Sequence, residues 1–120
     1  MGTEGFRIRP LQAADGTIVI KVSGEIDITS SLAFKERLFG ALDEGATYVV
    51  VDLDAAAYVD TSGLSVLLEL ARQCKLEDRE LATVCSEGMM RRALTNTGLD
   101  QVVPTYATLE EALGRRGQAT

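Results

Sequence analysis

The stretch VVVDLDAAAYVDTSGLSVLLEL, residues 49–70, decides the fold. Its opening, with Thr47 and Tyr48 before it, is a continuous apolar run without alternation, the pattern of a central strand covered on both faces. Asp52 and Asp54 close the run, and a short loop is expected before Asp60. Thr61, Ser62 and Gly63 come next, and then a helical pattern begins. Leu64, Leu67, Leu68, Ala71 and Cys74 recur at the spacing of one apolar helix face. A buried strand therefore hands over directly to an amphipathic helix, with a carboxylate and two adjacent hydroxyls at the junction.

Working towards the N-terminus, TIVIKVS (17–23) reads as a strand, and FRIRPLQ (6–12) alternates as a half-buried one. Asp15-Gly16 between them is a turn signal, so the two form a hairpin. GEID (24–27) ends the second strand. Ser30 is a candidate N-cap for a helix through Asp43 with Phe34, Leu38, Ala41 and Leu42 on one face, and Gly45 closes that helix.

Towards the C-terminus, ELATVC (80–85) is strand-like. Ser86 is a candidate cap for a helix containing Met89, Met90, Ala93 and Leu94, which Gly98 stops. QVVP (101–104) reads as a short strand. Thr108 and Glu111 have capping-box spacing at the start of a last helix.

The element order is β-β-α-β-α-β-α-β-α. It predicts an α/β domain with a mixed, mostly parallel sheet of four to five strands, an N-terminal β-hairpin and about four packed helices. One domain over residues 1–113 and a flexible tail over 114–120 are expected.

Composition narrows the function. The chain has 120 residues, 46% of them hydrophobic and 5% aromatic, so its core is aliphatic. The formal net charge of -6 repels nucleic acid and anionic lipid, so neither is an expected partner. No apolar run is long enough to span a membrane, and MGTEGFRIRP lacks the layout of a signal peptide, so a cytoplasmic protein is expected.

Histidine is absent, which excludes Ser-His-Asp and Cys-His nucleophile systems and imidazole zinc sites within the chain. Cys74 and Cys85 are too few for a disulfide framework and read as small buried hydrophobes. No cofactor is expected.

Three readings of the junction remain. Asp60 or Thr61 caps the helix, with Gly63 allowing close packing. Alternatively, Asp52 and Asp54 form a catalytic pair: VVVDLD resembles the first motif of haloacid dehalogenase-like phosphatases. Here, however, Ala55-Ala56 stand where that family has a small turn residue and Thr or Val, its later lysine and acidic motifs are not recognisable, and the chain is short for that fold. In the third reading a junction hydroxyl receives a phosphoryl group. A helix start favours that charge through its unpaired amides and the dipole.

VSGEID (22–27), then VVVDLDAAAYVDTSGLSVLL (49–68), then TNTGLDQVV (95–103) is a series of motifs in the order that resembles bacterial anti-sigma factor antagonists. Over residues 6–113 the chain looks like a stand-alone STAS domain of that family.

The resemblance implies a partner-switching protein rather than an enzyme. Unphosphorylated, it binds an anti-sigma factor of the serine/threonine kinase type and frees a sigma factor. The kinase, supplying ATP and magnesium, phosphorylates the hydroxyl after the aspartate, and a metal-dependent serine/threonine phosphatase resets the switch. Carried onto this chain, the acceptor is Thr61, where many members have Ser, with Ser62 as the adjacent fallback. Asp27, Asp60, Thr61, Ser62 and Gly63 form the partner surface. Gly24 and Gly63 serve backbone geometry and close packing.

The alternative implied by the same resemblance is a structural STAS subunit of a stressosome or of a lipid-transport complex. The 120 residues carry no long N-terminal sensor domain, which favours the switch over the usual scaffold. A monomer or weak dimer is expected.

Overall fold

The computed structural model describes residues 6–14 and 16–114. β1 (Phe6–Ala14) and β2 (Thr17–Ile26) form the expected antiparallel hairpin, with Ile8 opposite Val22 and Leu11 opposite Val19. Of its turn signal, Asp15 lies outside the described residues, and Gly16 takes a left-handed φ of 77°. Then follow α1 (Ser31–Asp43), β3 (Tyr48–Val59), α2 (Thr61–Leu76), β4 (Glu80–Val84), α3 (Met89–Asn96), the single turn α4 (Leu99–Val102), β5 (Thr105–Tyr106) and α5 (Leu109–Gly114). The sheet runs β1-β2-β3-β4-β5, parallel from β2 onward. Gly114 is the last residue of α5, and the rest of the expected tail lies outside the described residues.

The uninterrupted apolar run in β3 is explained by its position. It pairs with β2 on one edge and β4 on the other, and both of its faces are covered. Val49, Val51 and Leu53 pack with Ile20, Phe34, Leu38, Leu67 and Leu70 beneath α1 and α2. Tyr48 and Val50 face the opposite way and join Val19, Ala82, Val84 and Ala112 beneath α5. The Tyr48 hydroxyl donates to the Ala112 carbonyl at 2.7 Å, so its buried polar end is paired.

The four apolar residues expected on the inner face of α1 are all buried. On α2 the buried arc is broader than the expected stripe. Val66 and Leu70 are buried, while Leu68 and Ala71 are half-buried. This helix is packed by α1, the sheet and α4 together, so more than one stripe is covered.

Several local expectations are corrected. The loop expected between Asp54 and Asp60 is strand, because β3 continues to Val59. β4 ends opposite Asp52, so beyond it β3 pairs with β2 alone, at Ala55, Ala56, Tyr58 and Val59. Ala55 and Ala57 are exposed and Ala56 is half-buried against the core, but three identical residues carry no apolar alternation to read.

Ser30 precedes α1 but makes no cap hydrogen bond; its backbone is already helical rather than extended, and its hydroxyl accepts from the Asp27 N–H at 2.9 Å. Ser86 does not cap α3 either. Gly88 occupies that position, and Ser86 bonds to Asp54.

QVVP is not a strand: Gln101 and Val102 close α4, and the strand is Thr105–Tyr106. Gly98, at a φ of 78°, ends α3 and turns the chain into α4 at once. The Thr108 hydroxyl accepts from the Glu111 N–H at 3.1 Å, as a capping box requires, while the Glu111 carboxylate reaches the N–H of Ala107, one residue earlier than the usual partner.

Candidate functional site

Two strand-to-helix junctions meet at the C-terminal ends of β2 and β3. The Asp60 N–H donates to the Ile26 carbonyl at 3.0 Å, which ties them together. Asp60 is the N-cap of α2. Its Oδ1 accepts from the Ser62 N–H at 2.9 Å, from the Gly63 N–H at 3.3 Å, and from the Ser62 hydroxyl. The cap is thus Asp60, not Thr61.

Gly63 lies buried beneath the site. A Cβ there would stand 2.6 Å from Val59 Cγ1 and 2.9 Å from Ile26 Cγ2, so the close approach of α2 to the strand ends requires glycine. Gly24 has a φ of 89°, a backbone geometry that favours glycine as well.

Asp27 builds a similar turn before α1. Its Oδ1 accepts from the Thr29 N–H at 3.0 Å, the Thr29 hydroxyl at 2.6 Å and the Ser30 N–H at 3.2 Å. Both carboxyls are held below the usual carboxylate range. For Asp60 the main cause is the Ser62 hydroxyl, partly offset by desolvation; the Gly63 and Ser62 amides lower it further, and the charge of Asp27 pushes it back up. For Asp27 the Thr29 hydroxyl dominates. The repulsion felt by Asp60 shows that the two carboxylates share one electrostatic neighbourhood.

The two junction hydroxyls differ. Ser62 is half-buried, and its hydroxyl is committed to Asp60. Thr61, the first helical residue, is exposed, and among the described residues its hydroxyl has no hydrogen-bond partner.

Three exposed apolar side chains surround this end of the sheet: Ile28 (77% exposed), Leu32 (67%) and Tyr58 (54%). Tyr58 stands opposite Glu25 in the β2–β3 ladder. Sequence reasoning missed all three. The available signal was Leu32, an apolar residue off the buried face of α1, close behind Ile28 in an otherwise polar turn.

Asp52 and Asp54 serve the backbone. Asp52 is buried and accepts from the Asp54 N–H at 3.0 Å. Asp54 accepts from the Ser86 N–H and hydroxyl, each at 2.8 Å, tying β3 to the segment after β4. Among the described residues no cluster of acidic or sulfur ligands is arranged to hold a metal ion. Burial pushes the Cys74 thiol up to about 11 and also raises that of Cys85, so neither resembles a reactive thiolate.

The STAS domain model matches residues 9–112. The chain belongs to the STAS domain family. Its relatives in that family include the anti-sigma-F factor antagonist RsfB of Mycobacterium tuberculosis, 28% identical over 104 residues, covering 86% of this chain and 84% of that protein. An anti-sigma factor antagonist from Mycobacterium paratuberculosis has a similar structure, with a TM-score of 0.83 at 28% identity, covering 91% of this chain and 92% of that one. The STAS fold is shared with the unphosphorylated form of the anti-sigma factor antagonist SpoIIAA, at a TM-score of 0.79 and 21% identity over 95% of this chain and 99% of that one. SpoIIAA has also been solved in a phosphorylated form, at a TM-score of 0.71 and 23% identity over 91% of this chain and 98% of that one. The expected hairpin-led, mostly parallel sheet is thus the STAS sheet.

Proposed function

We propose that this chain is an anti-sigma factor antagonist. It docks on an anti-sigma factor of the serine/threonine kinase type through the surface around Asp27, Ile28, Leu32, Tyr58 and Thr61, and phosphorylation of Thr61 switches it off. The observation that carries the reading is the contrast between the hydroxyls: Thr61 is exposed and uncommitted, whereas Ser62 is bound to Asp60.

In the transfer, the Thr61 oxygen forms a bond to the γ-phosphorus of ATP as the bond to the ADP oxygen breaks. The threonine proton passes to a base on the kinase. The chain itself contributes a positioned hydroxyl and a docking face. Hydrolysis of the phosphoester by a metal-dependent phosphatase restores the hydroxyl.

The arrangement around Thr61 supports a switch in docking rather than in folding. The Ser62 and Gly63 amides at the helix start are already taken by Asp60, so they are not free to receive a phosphate. A phosphate carrying a charge of about -1.5 to -2 would stand beside the Asp60 and Asp27 carboxylates, with the Ser62 and Gly63 amides already engaged. It would turn a surface edged by Ile28, Leu32 and Tyr58 into a strongly anionic one. Desolvating that charge opposes docking without disturbing the core beneath.

The test is phosphorylation by the partner kinase with ATP, followed by peptide mapping. Modification at Thr61, lost in Thr61→Ala, is expected. A phosphate found on Ser62 alone reassigns the acceptor, and no phosphate with a kinase that demonstrably binds the chain overturns the switch.

A further inference from the structure

A cleft of about 730 Å³ lies along the C-terminal half of α2, walled by that helix, the start of β4 and the α4–β5 segment. Its size falls within the range of small-molecule sites, roughly 300–1,000 Å³. The apolar wall comprises Leu68, Ala71, Leu81, Val102, Val103 and Pro104. Val102 is 60% exposed at its mouth, a large apolar side chain left open on a one-turn helix. A smaller hollow of about 280 Å³ shares Leu68 and Val102 and continues the apolar surface along α2 towards Thr61.

The rim is cationic in a chain whose net charge is -6. Arg72 and Lys75 lie three residues apart on α2, hence on neighbouring positions of one helix side, and both are exposed. Among the described residues neither forms an ion pair. Arg79 also lines the cleft but is committed: it pairs with Glu77 at 2.9 Å and donates to the Leu42 and Ala46 carbonyls at 2.7 and 2.8 Å. Glu80 contributes one carboxylate, so the two uncommitted cations leave a net single positive charge for a ligand.

We propose that this cleft binds one amphiphilic monoanion, an acyl carboxylate, with its tail on the apolar wall and its headgroup at Arg72 and Lys75. A nucleotide or other polyanion would need more cations than this rim offers. A neutral apolar ligand would make no use of them. Three elements enclose the space, which suits a single chain better than a partner helix laid across a flat face. The site does not depend on Thr61 being a phosphoacceptor.

Sodium dodecanoate below its micelle concentration is the probe, followed by calorimetry and by amide chemical shifts of the intact chain. One-to-one saturable binding is expected, with shifts concentrated in the second half of α2, residues 79–82 and residues 101–106. Arg72→Ala with Lys75→Ala should weaken binding about tenfold. Dodecanol, with the same tail and no charge, should bind both proteins equally weakly. Val102→Asp should remove dodecanoate binding. Because all three positions are exposed, thermal melts should be unchanged, and the melts check this.

Absence of saturable binding overturns the proposal, as does equal affinity in wild type and the double variant, or shifts confined to another face. Retention on phosphatidylglycerol vesicles without a response to monomeric dodecanoate also overturns the cleft site and makes the rim a lipid-surface contact.

Discussion

The chain makes two strand-to-helix junctions side by side with the same device and puts them to different uses. At β2–α1, Asp27 gathers the amides and hydroxyl of a small turn that stands clear of the core, beside the exposed Ile28 and Leu32. At β3–α2, Asp60 does the same for Ser62 and Gly63, but here the helix starts immediately and Gly63 is pressed onto Val59 and Ile26. One turn offers apolar side chains to solvent, and the other is anchored in the core and presents a single hydroxyl. An aspartate cap alone therefore does not define a site. What lies beneath it decides whether the junction is a rigid mount or an open contact surface.

The largest expected effect tests the anchored junction. Gly63→Ala places a methyl group below 3.0 Å from two buried branched side chains, an overpacking that costs about 1–3 kcal/mol. Urea unfolding should show it. Gly40→Ala is the control: it lies inside α1 with nothing within 4 Å of the added carbon, and it should gain up to about 1 kcal/mol from helix propensity. Equal stability of wild type and Gly63→Ala would break the distinction between the two junctions.

Next comes the open junction. Ile28→Ser combined with Leu32→Ser should leave the urea midpoint unchanged while weakening the anti-sigma partner about tenfold, or about 1.4 kcal/mol. A fall in stability equal to the fall in affinity would show that these side chains serve the fold. Thr61→Glu should weaken the same complex to a similar degree through charge, with the melt again preserved. Calorimetry beside the melt separates affinity from folding in each case.

The smallest effect concerns the coupling of the two caps. Both carboxyls sit below their ordinary value of 3.8. Their stabilising contribution is therefore complete above that value and is lost as pH falls through the lower folded-state value. Asp27→Asn removes the charge that raises Asp60, so the Asp60 carboxyl should titrate at still lower pH, read from its side-chain carbon shift. An unmoved Asp60 titration would mean that the two junctions act independently.

Much of this was legible in the sequence because it rested on covered faces. The apolar run at 47–53 had to be a two-sided strand, and Phe34, Leu38, Ala41 and Leu42 had to face a core. The distal half of β3 was not legible. Beyond Asp52 β3 pairs on one edge only. Ala56 alone of the three alanines packs on the core, which three identical residues do not reveal, and pairing with β2 across two register shifts leaves no local trace. α4 was hidden for a related reason: one turn is too short for periodicity, and Gly98 reads as a stop although it also begins the next turn.

At the candidate site, Asp60, Thr61, Ser62 and Gly63 were legible as a group because they are contiguous. Their division of labour was not. Asp60 is the cap because its carboxylate gathers Ser62 and Gly63, Ser62 is bound by that same carboxylate, Thr61 is left exposed, and Gly63 is pressed onto Val59 and Ile26, a division only the folded junction reveals. Ile28 and Tyr58 escaped because an exposed apolar residue looks, in one dimension, like a buried one; Leu32 alone carried a signal, lying off the buried face of α1.

The hydrogen bond from Tyr48 to Ala112 has a consequence for how the protein is made. It joins the start of the central strand to the last helix, across 64 residues of chain. As the nascent chain leaves the ribosome, the layer formed by α1 and α2 can be assembled while residues 109–114 are still to come. The opposite side of the sheet cannot. Val19, Val50, Ala82 and Val84 wait uncovered until Ala112 arrives, so the cell must keep a half-closed sheet from sticking until α5 seals it.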